Sequence, residues 1–200
     1  NRALKGESIE DMIREAAGNI VGDVMDDYLG EGLHPEHWNL EGMRVNMERV
    51  FGVTYEESDE ALRDHSREEL RQRMMEQAGQ AVDAVKERLG ESFQPFSRML
   101  LLQYTDNLWK DHLLALDRLR QGVGLRGYGQ RNPLLEYKRE ALQMYLMMSA
   151  NRDEQVVSHL MNAQPELAES AASATNAKRT AKKLVAGNFK PAAEVLKNAT

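Results

Sequence analysis

From Ile9 to Leu160 the apolar residues of this chain return every third or fourth position, and no stretch alternates long enough to make a strand. A 3.6-residue period puts such residues on one face of a helix, so the pattern predicts an all-α protein with no sheet of any size. The first stripe is Ile9, Met12, Ile13, Ala16, Ala17, Ile20, Val21, Val24, Met25 and Tyr28. Ser8 is placed to cap it, with Asp11 in a capping-box position, and Gly30 to end it. Asn39 starts a short helix over Leu40, Met43, Met47, Val50 and Phe51, which Gly52 stops. The acidic stretch 53–65 reads as partly exposed. Ser66 and Glu69 then form a stronger capping box before Leu70, Met74, Ala78, Ala81, Val82, Val85 and Leu89, with Gly90 at the end.

Two longer helices follow. One begins at Gln94-Pro95, carries Phe96, Met99, Leu100, Leu102, Leu108, Trp109, Leu113, Leu116 and Leu119, and runs to about Gln121. The other starts at Pro133, whose missing N–H costs nothing in a first turn. It carries Leu135, Leu142, Tyr145, Leu146 and Met148 and continues through Val156, Val157, Leu160 and Met161. A short connection makes such neighbours antiparallel, so a stiff hairpin is expected with its tip at 122–132. Gly122, Gly124, Gly127 and Gly129 each cost on the order of 1 kcal/mol inside a helix, and are read as ending the first arm. Beyond Gln164-Pro165 the small and polar composition reads as a flexible tail, with one weak helix near 192–197.

The chain has no cysteine, which removes disulfides, thiol catalysis and thiolate metal sites. No run approaches 18 apolar residues, and the polar start "NRALKGESIE" has no signal-peptide core. A cytoplasmic chain is expected, and a start without Met suggests a piece of something longer. The net charge of −6 is segregated. Residues 1–117 hold 13 Lys+Arg against 25 Asp+Glu, while 118–139 hold six against Glu136 alone, and 176–200 hold six against Glu194 alone. An acidic body therefore carries a basic hairpin tip and a basic tail, which bears on partners and not on fold.

Catalytic patterns are thin. There is no phosphate-cradling G-x-x-x-x-G-K-[ST] run, and "GLRGYG" follows a helix where a dinucleotide fingerprint needs a strand. His34 and His37 share a loop with no third ligand near in sequence, and read as solvated. Asp111 and His112 are neighbours about 100° apart on a helix, without a matching nucleophile, and read as helix-surface charge. The 11 methionines serve either as core filler or as an adaptable apolar face, with core favoured. At the tip, Tyr128 sits between two glycines and is flanked by Leu125, Arg126, Gln130 and Arg131. Its ring either projects outward as a broad amphipathic contact or folds back onto the arms. The outward arrangement suits loose contact with many sequences and suits chemistry poorly.

The segment "LWKDHLLALDRLRQGVGLRGYGQRNPLLEYKREALQMY" closely resembles the two-helix finger of SecA, the motor ATPase of bacterial protein export. "DDYLGEG", "WNLEGM" and "SREELRQRMMEQA" resemble the same family, and the likeness spans about 1–165. It implies the end of a long scaffold helix at 1–7, a helical wing at 8–90, scaffold with finger at 91–165, and a linker or tail at 166–200. It also implies that the finger tip, with Tyr128 as the main grip and Leu125, Arg126, Gln130 and Arg131 around it, meets the unfolded preprotein and the mouth of the SecYEG channel. The finger would couple to ATP hydrolysis by motor domains upstream in the same chain. Trp109 and His112 would pack nearer the scaffold. ATP and magnesium would belong to the parent protein, and no cofactor or metal to this stretch, which is expected to catalyse nothing alone. The implied location is cytoplasmic, peripheral to the inner membrane, with an anionic membrane surface as a further contact. Without cysteine, the family's tail zinc motif and its binding of the chaperone SecB do not carry over. The alternative is a free-standing helical nucleic-acid-binding module using the basic tip and tail. The acidic body opposes that, and the tip offers one aromatic for base stacking, so no nucleic-acid partner is expected.

Overall fold

The computed structural model describes residues 8–126, 132–166, 168–171 and 173, and over 124–126 the backbone alone. Among them are six α-helices and no strand: α1 (Ile9–Tyr28), α2 (Leu40–Phe51), α3 (Asp59–Arg63), α4 (Arg67–Leu89), α5 (Phe93–Arg126) and α6 (Pro133–Met161). Single 3-10 turns lie at Pro35–His37 and Gly90–Ser92. The all-α architecture with a long helical hairpin is as the periodicity predicts.

Helix α1 is the hub, packed against α4 and α6 and also touching α2 and α5. Ile13 and Val21 are fully buried on it, facing a core that includes Met74 and Val82 of α4 and Val156, Val157 and Leu160 of α6, all at 0% exposure. Burying such side chains is worth about 1.5–3 kcal/mol each, so this shared core holds the base of the hairpin to the rest. Polar contacts line the α1–α4 seam. Glu10 accepts from Arg14 at 3.0 Å and from Lys86 at 2.7 Å, and Arg14 also pairs with Asp83. These cations pull the Glu10 pKa below its usual value.

Several local expectations need correction. Ser8 accepts from the Glu10 N–H at 3.2 Å, and among the described residues Asp11 returns no bond. The aspartate side chain is one methylene shorter than the glutamate that completes such a box. The full box does form at Ser66 and Glu69, where both bonds are present. Helix α1 stops at Tyr28 and not at Gly30, because Leu29 turns inward to complete burial. Arg67 holds this end, donating Nε to the Leu29 carbonyl at 2.8 Å and Nη2 to Asp26 at 2.7 Å. A cation at a helix C-terminus also suits the dipole there.

The acidic stretch 53–65 is more structured than its composition suggested. It contains α3, capped by Ser58, and buries Leu62 completely and Tyr55 nearly so. Two of its carboxylates are tied down: Asp59 accepts from Arg44 at 2.5 Å, and Glu57 pairs with Arg73. The first hairpin arm is also longer than expected. It begins at Phe93 and continues to Arg126, so Gly122 and Gly124 lie within it. Val123 is 4% exposed, and its burial outweighs the helix-breaking tendency of the flanking glycines. Past Pro165 the described backbone is still helical, and Ala168 is buried against the core. The rest of the expected tail lies outside the described residues.

Candidate polypeptide-contact hairpin

At about 1.5 Å per residue, the 34 residues of α5 extend roughly 51 Å and the 29 of α6 roughly 44 Å. They run antiparallel: Tyr104 meets His159, whereas further along α5 His112 meets Tyr145. The seam on α5 reads Leu101, Tyr104, Leu108, His112, Ala115, Leu119 and Val123, each at least half-covered and spaced by three or four. On α6 Tyr137, Ala141, Met144 and Met148 answer it. This is the spacing of two helices packed at a shallow angle.

The base of the hairpin is clamped. Phe93, Phe96, Leu100 and Leu101 are buried on α5, as are Val156, Val157 and Leu160 on α6. Asp153 is 2% exposed and accepts from Asn19 of α1 at 2.9 Å and from Arg152 Nε at 2.8 Å. Arg49 of α2 pairs with Glu154 at 2.5 Å, and Arg88 of α4 donates to the Met161 carbonyl at 2.5 Å. His159 Nδ1 donates to the Gln155 carbonyl at 3.0 Å, leaving Nε2 to accept from the Tyr104 hydroxyl at 3.1 Å. At the far end Asn132 caps α6, accepting from the Leu134 N–H at 3.0 Å. Pro133 occupies the first turn as expected.

Each arm carries a second apolar stripe that nothing described covers. On α5 it is Leu102, Trp109 and Leu113, about 100° round from the seam, and on α6 it is Leu135, Leu142 and Leu146. Ten of the thirteen exposed large apolar side chains among the described residues lie on this hairpin, with Met147 at 72%. Stripe residues such as Leu113 and Leu142 were expected to serve one packed face with the seam. The signal against that was in the sequence. Leu102, Trp109 and Leu113 sit at seven- and four-residue steps of their own, offset from the run through Leu108, His112, Leu116 and Leu119.

His112 departs from the surface-charge reading and packs as the family resemblance implies, whereas Trp109, given the same packing role, is 43% exposed. His112 is 7% exposed, with the Trp109 ring 5.5 Å away and the Tyr145 ring 6.2 Å away, centroid to centroid. Both outer rings are nearly half-exposed, so the three form a band across one side of the hairpin. Asp111, its neighbour, faces solvent. Of the expected tip residues, Leu125 and Arg126 lie in the last turn of α5, with only their backbone described. Tyr128, Gln130 and Arg131 lie outside the described residues. His34 and His37 are exposed in their loop. Among the described residues no three His, Asp or Glu side chains converge as a bound metal would need. No described helix is long and apolar enough to cross a membrane.

The whole arrangement is a long helical hairpin on a packed base, with large apolar side chains uncovered along its flanks. A family model described as "SecA Wing and Scaffold domain" matches residues 1–164. The protein translocase subunit SecA of Pelotomaculum thermopropionicum is 36% identical over 160 residues, covering 80% of this chain and 18% of the relative. That of Desulfotalea psychrophila is 39% identical over 159 residues, covering 79% and 19%. That of Thermosynechococcus vestitus is 36% identical over 172 residues, covering 84% and 18%. The chain thus spans less than a fifth of the length of the curated relatives it matches.

Proposed function

Since the chain belongs to the SecA wing and scaffold family, we propose that it is the wing and two-helix finger of a preprotein translocase, and that its finger tip grips the polypeptide being moved. On this reading residues 1–7 end a long scaffold helix, 8–90 form the wing, 91–165 the scaffold with its finger, and 166–200 a tail. The tip residues are Tyr128, with Leu125, Arg126, Gln130 and Arg131 around it. They meet the unfolded preprotein and the mouth of the SecYEG channel, with an anionic membrane surface alongside, and the protein works at the cytoplasmic side of the inner membrane. ATP and magnesium are bound by motor domains outside this stretch.

The observation that carries this reading is the asymmetry of the hairpin. Its base shares the buried core with α1 and is tied to α1, α2 and α4 by the Arg49–Glu154 ion pair and by hydrogen bonds from Asn19 and Arg88, so force applied at either end passes along a stiff pair of helices. Its flanks leave large apolar side chains uncovered. A hairpin whose only role was to complete this core would bury those flanks. The uncovered stripes suit contact with the motor domains, and the tip suits a sequence-tolerant contact, which depends on area and edge hydrogen bonds.

The test is Tyr128→Ala in a full-length member of the family carrying this stretch. Preprotein transport should slow while the melting temperature stays within about 1 °C, since an outward ring contributes little to folding. Tyr128→Phe and Tyr128→Met should keep more transport than Ala because they keep contact area. Basal ATP hydrolysis should persist. A large drop in melting temperature would show a buried ring, and unchanged transport would remove Tyr128 from the mechanism.

A further inference from the structure

A groove of about 570 Å³ runs between α1, α2 and α6, away from the hairpin tip. Ile20 and Val24 of α1 with Met147 and Ala150 of α6 give it an apolar lining, while Asp23, Asp26, Asp27 and Glu154 stand along it. Two of these carboxylates are neutralised: Arg67 pairs with Asp26 at 2.7 Å and Arg49 with Glu154 at 2.5 Å. Among the described residues no cation pairs with Asp23 or Asp27. Burial raises the Asp23 pKa, and the negative charges of Asp27, Asp153, Asp26 and Glu154 raise it further. The groove therefore combines apolar walls with uncompensated negative charge, and its complement is a segment that sets cations next to aliphatic side chains.

This chain contains such a segment. "KRTAKKLV", Lys178–Val185, puts four cations beside Leu184 and Val185, within a stretch (176–200) that holds six Lys+Arg against one acidic residue. We propose that Lys178–Val185 docks in the groove between α1 and α6, with Lys182 and Lys183 against Asp23 and Asp27 and with Leu184 and Val185 toward the apolar lining.

The chain is long enough to do this. Ser173 lines the same surface pocket as Gly90 and Glu91 at the end of α4. Lys86, one turn back on α4, pairs with Glu10 at the start of α1. Along α1 the groove begins ten residues beyond Glu10 and ends at Asp27, about 15–26 Å away. An extended chain covers about 3.3–3.6 Å per residue, so Lys182 and Lys183 reach roughly 30–36 Å from Ser173. Lys178 reaches no more than about 18 Å, which assigns it to the near end of the groove. This contact is distinct from the proposed tip contact, since it involves neither the tip nor the stripes through Leu113 and Leu142, and of the uncovered hairpin side chains it uses Met147 alone.

The absence of native cysteines makes the test direct. A nitroxide on Ala186→Cys in the 200-residue chain should broaden the amide signals of Asn46, Ala150 and Asn151 at least threefold more than those of Gly18 and Met75, on the other side of α1. The broadening should fall to the control level in Asp23→Asn/Asp27→Asn, with the helical circular dichroism retained. It should fall likewise in Lys182→Glu/Lys183→Glu, and return when that pair is combined with Asp23→Lys/Asp27→Lys. Uniform broadening, or groove broadening that survives both charge changes, would overturn the proposal. So would groove broadening carried only between molecules, seen when spin-labelled unenriched chains are mixed with unlabelled enriched ones, because the occupant would then be a second copy's segment.

Discussion

Replacing Leu113 and Leu142 together by glutamine separates two roles for the hairpin. The two leucines are 49% and 58% exposed, so this chain realises about half of the 1.5–3 kcal/mol that full burial of each would bring. Glutamine keeps the inner methylenes and is as good a helix former as most, so the double variant should cost the 200-residue chain no more than about 1 kcal/mol. In a full-length relative whose other domains cover these stripes, the same change forfeits the remaining half of each burial, about 1 kcal/mol per site. It also places two amides against apolar surface, at about 1–3 kcal/mol each where unpaired. The lower end of these terms together, about 4 kcal/mol beyond the effect in the isolated chain, corresponds to a factor of about 900 in an opening equilibrium. Denaturant unfolding measures the first quantity, and native-state hydrogen exchange of the α5 and α6 amides measures the second. Equal losses in the two contexts would refute the idea that these stripes are docking faces. A loss above about 2 kcal/mol in the isolated chain would mean that they belong to its own core.

Two further outcomes follow from single residues. Gly122 is helical, does not adopt positive φ, and an added Cβ there would meet nothing within 4 Å. Gly122→Ala should therefore stabilise the hairpin by about 0.5–1 kcal/mol, raising the melting temperature by a few degrees; a lower one would contradict helical backbone at that position. Burial pushes the Tyr55 hydroxyl up from 10.0 to about 12, so above pH 10 the unfolded chain ionises this group while the folded chain still holds its proton. The folded state then binds more protons, and the contribution of Tyr55 to stability is lost between about pH 10 and 12. A phenolate absorbance titration should show a late step that Tyr55→Phe removes, and the same variant should flatten that part of the stability profile; a late step absent from the parent chain, or one that survives in Tyr55→Phe, would contradict it.

Most of the fold was legible because helices of this kind are specified locally. The stripe from Ile9 to Met25 and the one from Leu70 to Leu89 each repeat at helical spacing, and Gly52 takes the left-handed conformation, φ 67°, that a terminating glycine often supplies. What was missed had non-local causes. Helix α3 has five residues and no periodicity to display, and it is held by Arg44, which lies on α2. The extension of α5 past Gln121 depends on the burial of Val123, which outweighs two glycines that locally favour a turn.

The candidate site was read in a different way. The proposed tip stood out through composition, four glycines around one tyrosine with arginines beside it, and through a segment that resembles a known finger. Its flanks did not, because Leu113 and Leu142 are chemically indistinguishable from core leucines until the partner helix occupies one face and leaves the other. Periodicity reports that a helix has apolar faces; it does not report how many neighbours it has. A helix with two apolar stripes 100° apart needs two partners, and α6 supplies one of them to α5. The base of the hairpin finds its second partner in α1, where Phe93 and Leu100 on one arm and Val156 and Val157 on the other are buried. Beyond Leu102 on α5 and before Met148 on α6 the stripes outrun that core. The same pair of helices is therefore a core element at one end and, among the described residues, an open surface along its flanks toward the other.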